Sequence, residues 1–256
     1  DNKGIVQKSE IEPLINSKTK LISLMHVNNE IGTIQPIEEI GSLCEKYNII
    51  FHVDAAQSYG KINIDVKKMN IDLLSISGHK IYGPKGIGAL YVNNKIKKIL
   101  NPIFWGGKQE QGIRPGTLAT PLIVGIGEAT EICKNEMRND LKKIELLRDN
   151  FTEKITSQFN NVKINGCMQN RISNNINLSF PSLNGMSIIN ALPKIALSNG
   201  SACTSSTSNP SHVLTAIGRN GKEAISSIRI GIGRFNNSND ISIAADTIIK
   251  IIKSKK

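Results

Sequence analysis

The chain has 256 residues, a formal net charge of +11 and only 4% aromatic residues. That length can bury one large core or two smaller ones, and no apolar run approaches the roughly 20 residues that span a bilayer. The lysines are scattered or lie on helix faces such as Lys67–Lys68, Lys95–Lys98 and Lys250–Lys256, with no aromatic platform among them. This argues against direct nucleic-acid binding and leaves an acidic protein partner as the use of a basic surface.

Taken in chain order, the sequence alternates strand and helix. Leu21–Met25 reads as a short apolar strand ending in the polar turn His26-Val27-Asn28-Asn29-Glu30. Pro36 opens a helix whose Ile37, Ile40, Leu43, Cys44 and Tyr47 recur at helical spacing. Ile49–Val53 and Leu73–Ser77 are further strands, and Ile87–Val92 follows the turn Gly83-Pro84-Lys85-Gly86. Near-continuous apolar strands with polar residues at their ends predict a mainly parallel sheet covered on both faces, with ligands bound beyond the strand ends.

Past the Gly/Pro-rich stretch 105–116 the texture changes. A long helix is expected from Pro121 to Asn160, with a break near Asn139. Short strands follow at Asn175–Phe180 and Ser227–Ile232. The last helix runs from about Asp240, capped by Asn237, with Ile241, Ala244, Ala245, Ile248 and Ile252 as its buried stripe. A boundary near residue 135 divides a larger domain, 1–135, from a smaller α+β domain, 136–256.

Two turns carry the chemistry. Ser77-Gly78-His79-Lys80 follows one buried strand and Asp54-Ala55-Ala56-Gln57 follows another. A lysine held desolvated at a strand end suits a Schiff-base amine. An upstream acid suits the ring nitrogen of a pyridoxal cofactor. Gln57 lies within reach of the phenolic oxygen, and Ser77 and His79 offer phosphate donors. His26 and His52 read better as core histidines than as catalytic ones, and of Asn28 and Asn29 one is expected to face the ligand.

The cysteines stand far apart at 44, 133, 167 and 203, which predicts neither a metal site nor disulfides and favours a reducing compartment; the cytoplasm is the expectation, with a mitochondrion or other organelle as the alternative. Cys44 and Cys133 read as core fillers. Cys203 lies in a loop of small polar residues, Ser198 to Pro210, as a reactive thiol would. Arg229 lies between apolar neighbours in a strand, where it needs an anion; a substrate carboxylate fits it, with a structural ion pair as the rival.

Met25-His26-Val27-Asn28-Asn29-Glu30-Ile31-Gly32, His52-Val53-Asp54-Ala55-Ala56-Gln57-Ser58, Ser77 to Gly86 and Gly200-Ser201-Ala202-Cys203-Thr204-Ser205 together resemble the cysteine desulfurases. The resemblance is to their housekeeping and nitrogen-fixation branch, class V aminotransferase-like enzymes, and it spans essentially the whole chain in order. It implies the pyridoxal-phosphate type I fold and pyridoxal 5'-phosphate as cofactor. Lys80 is similar to the family's lysine that binds the cofactor, Asp54 to its ring-nitrogen partner, Gln57 to its phenolate partner, and Ser77 and His79 to its phosphate ligands. Asn29 matches the asparagine near cofactor and substrate, Arg229 the carboxylate anchor, and Cys203 the sulfur-accepting cysteine. Thr117 matches the threonine that reaches the neighbouring subunit's phosphate, although Pro115 stands where the family commonly has serine. The long Ser/Thr loop resembles the branch with a long catalytic-cysteine loop.

The implied reaction converts L-cysteine to L-alanine and leaves a persulfide on Cys203. The persulfide then passes to an iron–sulfur scaffold or a relay protein for tRNA thiolation, with a homodimer as the complete enzyme. The family's N-terminal stretch, with its phosphate cup and stacking histidine, does not precede Asp1 here. The expectation is therefore an incomplete desulfurase, inactive alone, with an exposed sheet edge or core face. Two rivals stand beside it: another class V enzyme, a selenocysteine lyase or aminotransferase, and a non-catalytic remnant that still docks a sulfur-transfer partner.

Overall fold

Each strand of the N-terminal half is short, β-branched or leucine-rich, and ends where a polar residue takes over. In the computed structural model, which describes residues 1–180, 183–199 and 210–254, the chain divides into two compact units. One comprises Gln7–His26 and Pro36–Met137; the other comprises Asp1–Val6, Val27–Gln35 and the chain from Arg138 onward.

The first of these contains α1 (Lys8–Ile11), β1 (Leu21–Met25), α2 (Ile37–Lys46), β2 (Ile50–Asp54), β3 (Leu73–Ser77) and β4 (Gly88–Val92). They form one four-stranded sheet in the order β1-β2-β3-β4. β1 pairs in parallel with β2, setting Met25 beside Asp54, and β2 pairs in parallel with β3, setting Asp54 beside Ser75. β4 runs antiparallel to β3, with Ser77 opposite Gly88, so the sheet is mixed at this edge. One face is dry: Ile37, Ile40 and Cys44 of α2 pack with Phe51, Val53, Ile71 and Leu74. Each fully buried side chain of this size contributes about 1.5–3 kcal/mol.

The other face departs from the expected two-sided cover. Leu21 is 47% exposed, Met25 40% and Leu90 50%. Its centre is polar, because period-two alternation turns His52 away from Phe51 and Val53. His52 bridges two strands there, 2.7 Å from Ser23 Oγ through Nδ1 and 2.8 Å from Ser75 Oγ through Nε2. Asp54 follows two residues on, on the same face.

α3 (Thr120–Thr156) is one unbroken helix of 37 residues. The break expected near Asn139 does not occur, since one asparagine inside a long helix costs well under about 1 kcal/mol. Its first turns belong to the unit just described, where Ala129 and Cys133 pack on Ile81. Its later turns belong to the other.

That second unit adds β5 (Lys163–Ile164), β6 (Asn175–Ser179), α4 (Gly185–Asn190), α5 (His212–Ala216), α6 (Gly221–Ile225), β7 (Ser227–Gly231) and α7 (Ser238–Ser254). The three strands make an antiparallel sheet in the order β5-β6-β7. Its core joins Phe151 and Ile155 of α3, Ile176 and Leu178 of β6, Ile228 of β7, and Ile241, Ala245, Ile248 and Ile252 of α7, with Ala244 packed against it. Asn237 caps α7 as the sequence predicts, accepting the Asp240 N–H at 3.0 Å. Among the described residues, no helix is long and apolar enough to cross a membrane.

Candidate active site

Parallel pairing of β2 and β3 brings two polar turns to neighbouring strand ends. The first leaves β2 at Asp54. Its carboxylate Oδ1 accepts the Ala56 N–H at 2.9 Å, an Asx turn that bends the chain away from the sheet. Ala55 N–H is held by the Ser75 carbonyl of β3, and Tyr59 N–H returns to the Ala55 carbonyl. Gln57 sits half-buried in this turn and Asp54 is exposed at its mouth.

The second turn leaves β3 at Ser77. Residues Gly78–Ile81 form a single 3-10 turn, closed by Gly83 N–H on the Gly78 carbonyl at 3.0 Å. Gly78 N–H bonds the Ile87 carbonyl at 3.0 Å, which shuts the base of the whole excursion. A side chain at Gly78 would meet Ile87 Cγ2 at 2.9 Å, so glycine is required by the close approach. Tyr82 ends the turn at φ 65°, a conformation costly for a bulky residue. Ser77 Oγ and His79 Nδ1 lie 3.2 Å apart, side by side as two polar groups. Lys80 is exposed on this turn. The lysine thus lies just beyond the end of β3, on a solvent-facing turn.

Lys61 is the residue that sequence reasoning missed. Its Nζ donates to the Gln57 carbonyl at 3.2 Å, tying the far end of the Asp54 turn back on itself. Burial, and then the positive charge of Lys80, lower its ammonium from 10.5 to about 8. The signal was available: a lysine directly after Gly60, where the chain turns at φ 71° against Cys133 and Ile81.

His26 is 3% exposed, its backbone N–H bonds the Asp54 carbonyl at 2.9 Å, and its Nδ1 has no hydrogen-bond partner among the described residues. Burial lowers it to about 4. Thr117 is exposed, following Gly116 (φ 101°) in a loop where Gly116 N–H bonds Gln109 Oε1.

In the other unit, Asn29 and Arg229 are brought together: Arg229 Nη1 donates to the Asn29 carbonyl at 2.9 Å. Arg229 is half-buried on β7, cross-strand from Asn177 on β6. Asn28 forms the turn itself, its Oδ1 accepting the N–H groups of Glu30 and Ile31. Arg234 pairs with Asp140 at 2.7 Å. Cys44 and Cys133 are buried fillers, and burial pushes the Cys44 thiol up to about 11. Cys203 lies outside the described residues. Among the described residues no cluster of His, Cys, Asp and Glu could hold a metal ion.

Comparison with known proteins agrees with this geometry. The Aminotransferase class-V family matches residues 1–243. The mitosomal cysteine desulfurase of Trachipleistophora hominis is 50% identical over 254 residues, covering 98% of this chain and 58% of that protein. The chain thus spans about three-fifths of the length of the curated relatives it matches. A solved NifS-like protein from Rickettsia africae superposes with TM-score 0.89 at 31% identity, over 99% of this chain and 68% of that one. A structure described as SspA in complex with cysteine superposes with TM-score 0.77 at 41% identity, over 93% of this chain and 65% of that one. The fold is accordingly the pyridoxal-phosphate type I, aminotransferase-like fold, and the chain belongs to the class-V aminotransferase family.

Proposed function

We propose that this chain carries the catalytic residues of a pyridoxal-phosphate-dependent cysteine desulfurase. The observation that carries the reading is the placement of the Asp54 and Lys80 turns at the ends of the adjacent parallel strands β2 and β3.

The donor set fits the cofactor. An exposed carboxylate, an exposed amine and a Ser–His pair stand at neighbouring strand ends, and Lys61 adds positive charge suited to a phosphate dianion. Lys80 would hold the cofactor covalently, Asp54 its ring nitrogen, Gln57 its phenolic oxygen, and Ser77 and His79 its phosphate. Thr117 is proposed to reach the phosphate of the partner subunit in a homodimer. When bound, the cofactor supplies an electron sink for the pair left on the substrate α-carbon.

The remaining work falls to side chains of this chain. Arg229 grips the α-carboxylate of L-cysteine, with Asn29 beside it. Lys80 takes and returns the α-proton at Nζ. Cys203 takes the substrate sulfur as a persulfide, and L-alanine leaves. A sulfur acceptor then collects it, an iron–sulfur scaffold or a tRNA-thiolation relay, in a reducing compartment; the cytoplasm is the setting proposed.

The test is an absorbance spectrum with added pyridoxal phosphate, beside Lys80→Ala, followed by L-alanine release from L-cysteine, both on the enzyme containing this chain. The expected result is an imine band lost in Lys80→Ala, and persulfide lost in Cys203→Ser with the band retained. A band that survives Lys80→Ala would overturn the assignment. Persulfide-free turnover unaffected by Cys203→Ser would instead favour a class V aminotransferase.

A further inference from the structure

The Asn28–Thr33 turn is held more firmly than a connecting loop requires. The β6/β7 register sets Asn177 directly opposite Arg229. These two neighbours grip consecutive carbonyls of the turn: Arg229 Nη1 holds that of Asn29 at 2.9 Å, and Asn177 Nδ2 holds that of Glu30 at 3.2 Å. Asn175 Nδ2 also reaches the Glu30 carbonyl, at 3.4 Å. The Glu30 side chain is 3% exposed, and its Oε2 accepts the Ser211 hydroxyl at 2.6 Å. Ser211 in turn accepts the Leu214 N–H at 3.3 Å as the N-cap of α5. Ile31, next in the turn, packs with Leu214 and Ile217.

Burying a carboxylate is costly, and an apolar side chain packed against α5 would close this turn at lower cost. The acid instead fixes the turn through a directional bond, and the fixed atom that matters is the Asn29 carbonyl. A guanidinium that binds a carboxylate through two parallel N–H groups must have its plane set beforehand. Pinning Nη1 on an immobile carbonyl does this.

We propose that Glu30 and Asn177 are positioning residues for Arg229, fixing the Asn29 carbonyl and thereby the guanidinium plane offered to the α-carboxylate of an amino-acid substrate. The inference rests on the proposed role of Arg229 as the carboxylate anchor.

The test uses the pyridoxal-phosphate-loaded enzyme containing this chain. Glu30→Ala and Ser211→Ala should each raise KM for L-cysteine about tenfold with kcat little changed. Glu30→Gln keeps an acceptor for the Ser211 hydroxyl and should restore KM. Binding of L-alanine, followed by absorbance titration, should weaken by the same factor, while binding of ethylamine, which has no carboxylate, should not change. If Arg229→Lys raises KM but Glu30→Ala and Ser211→Ala do not, the positioning role is overturned and the anchor stands. If Arg229→Lys leaves KM unchanged, the anchor reading fails and this inference with it. Equal weakening of L-alanine and ethylamine would show a general structural role and would also overturn the proposal.

Discussion

The positive charge of Lys80 adds to burial in lowering the Lys61 ammonium to about 8. A base with a lowered folded value is protonated more readily when unfolded. Between pH 8 and 10.5 the unfolded chain therefore binds more protons, and stability rises with pH across that window. Lys61→Met should abolish this rise relative to the parent chain, read as the difference between their melting temperatures from pH 7 to 10.5. Parallel curves would show that the lysine is solvated like any other.

His26 makes the matching prediction in acid. Its folded value of about 4 lies below its ordinary 6.5, so the unfolded chain binds the extra proton between pH 6.5 and 4. Stability is lost as pH falls through that range, by about 3 kcal/mol at most. In His26→Phe that contribution disappears, and the urea midpoint should fall less between pH 7 and 4.5 than in the parent. An identical fall in both chains would place the acid sensitivity elsewhere.

Asp54→Asn separates charge from shape at the cofactor end. The asparagine oxygen can still accept the Ala56 N–H, so the turn survives. Only the negative charge proposed to face the cofactor's ring nitrogen is removed. The expected result is a drop in L-alanine release of about a hundredfold or more with the fold intact by circular dichroism. Undiminished turnover would remove Asp54 from the mechanism.

Gly41→Ala tests packing against propensity. Alanine is the better helix former by about 1 kcal/mol, and Gly41 lies inside α2. A Cβ there would meet the Met69 carbonyl oxygen at 1.9 Å. The backbone must move, and destabilisation of about 1–3 kcal/mol is expected by urea unfolding. A stabilised variant would mean that α2 and the Met69 turn can part freely.

Much of the fold was legible because local patterns and tertiary demands coincide. β1 and β3 fall on the residues that their apolar runs mark, and α7 begins at the cap that Asn237 provides. The direction of β4 was legible too and was not read. Only ten residues separate Ser77 from Gly88, and a parallel crossover needs a dozen or more. What lay beyond local reading depends on distant pairing. The Asn28–Thr33 turn draws its partners from β6, β7 and the start of α5, and no spacing in the sequence announces them. The Lys80 turn was recognised by its residues, while its exposure follows from a 3-10 geometry that no propensity scale specifies.

The bond from Gly78 N–H to the Ile87 carbonyl makes the excursion carrying Lys80 a ring fastened at its neck, with a second rung at Gly83. A fastened ring cannot trail after a departing ligand. If Lys80 lets go of one carbon atom to serve another, the travel must occur in its four methylenes, about an arm's length of single-bond rotations on a fixed shoulder. Such rotations are quick, on the scale of exposed side chains rather than of loops. Proton delivery would then keep pace with chemistry without waiting for the main chain to move.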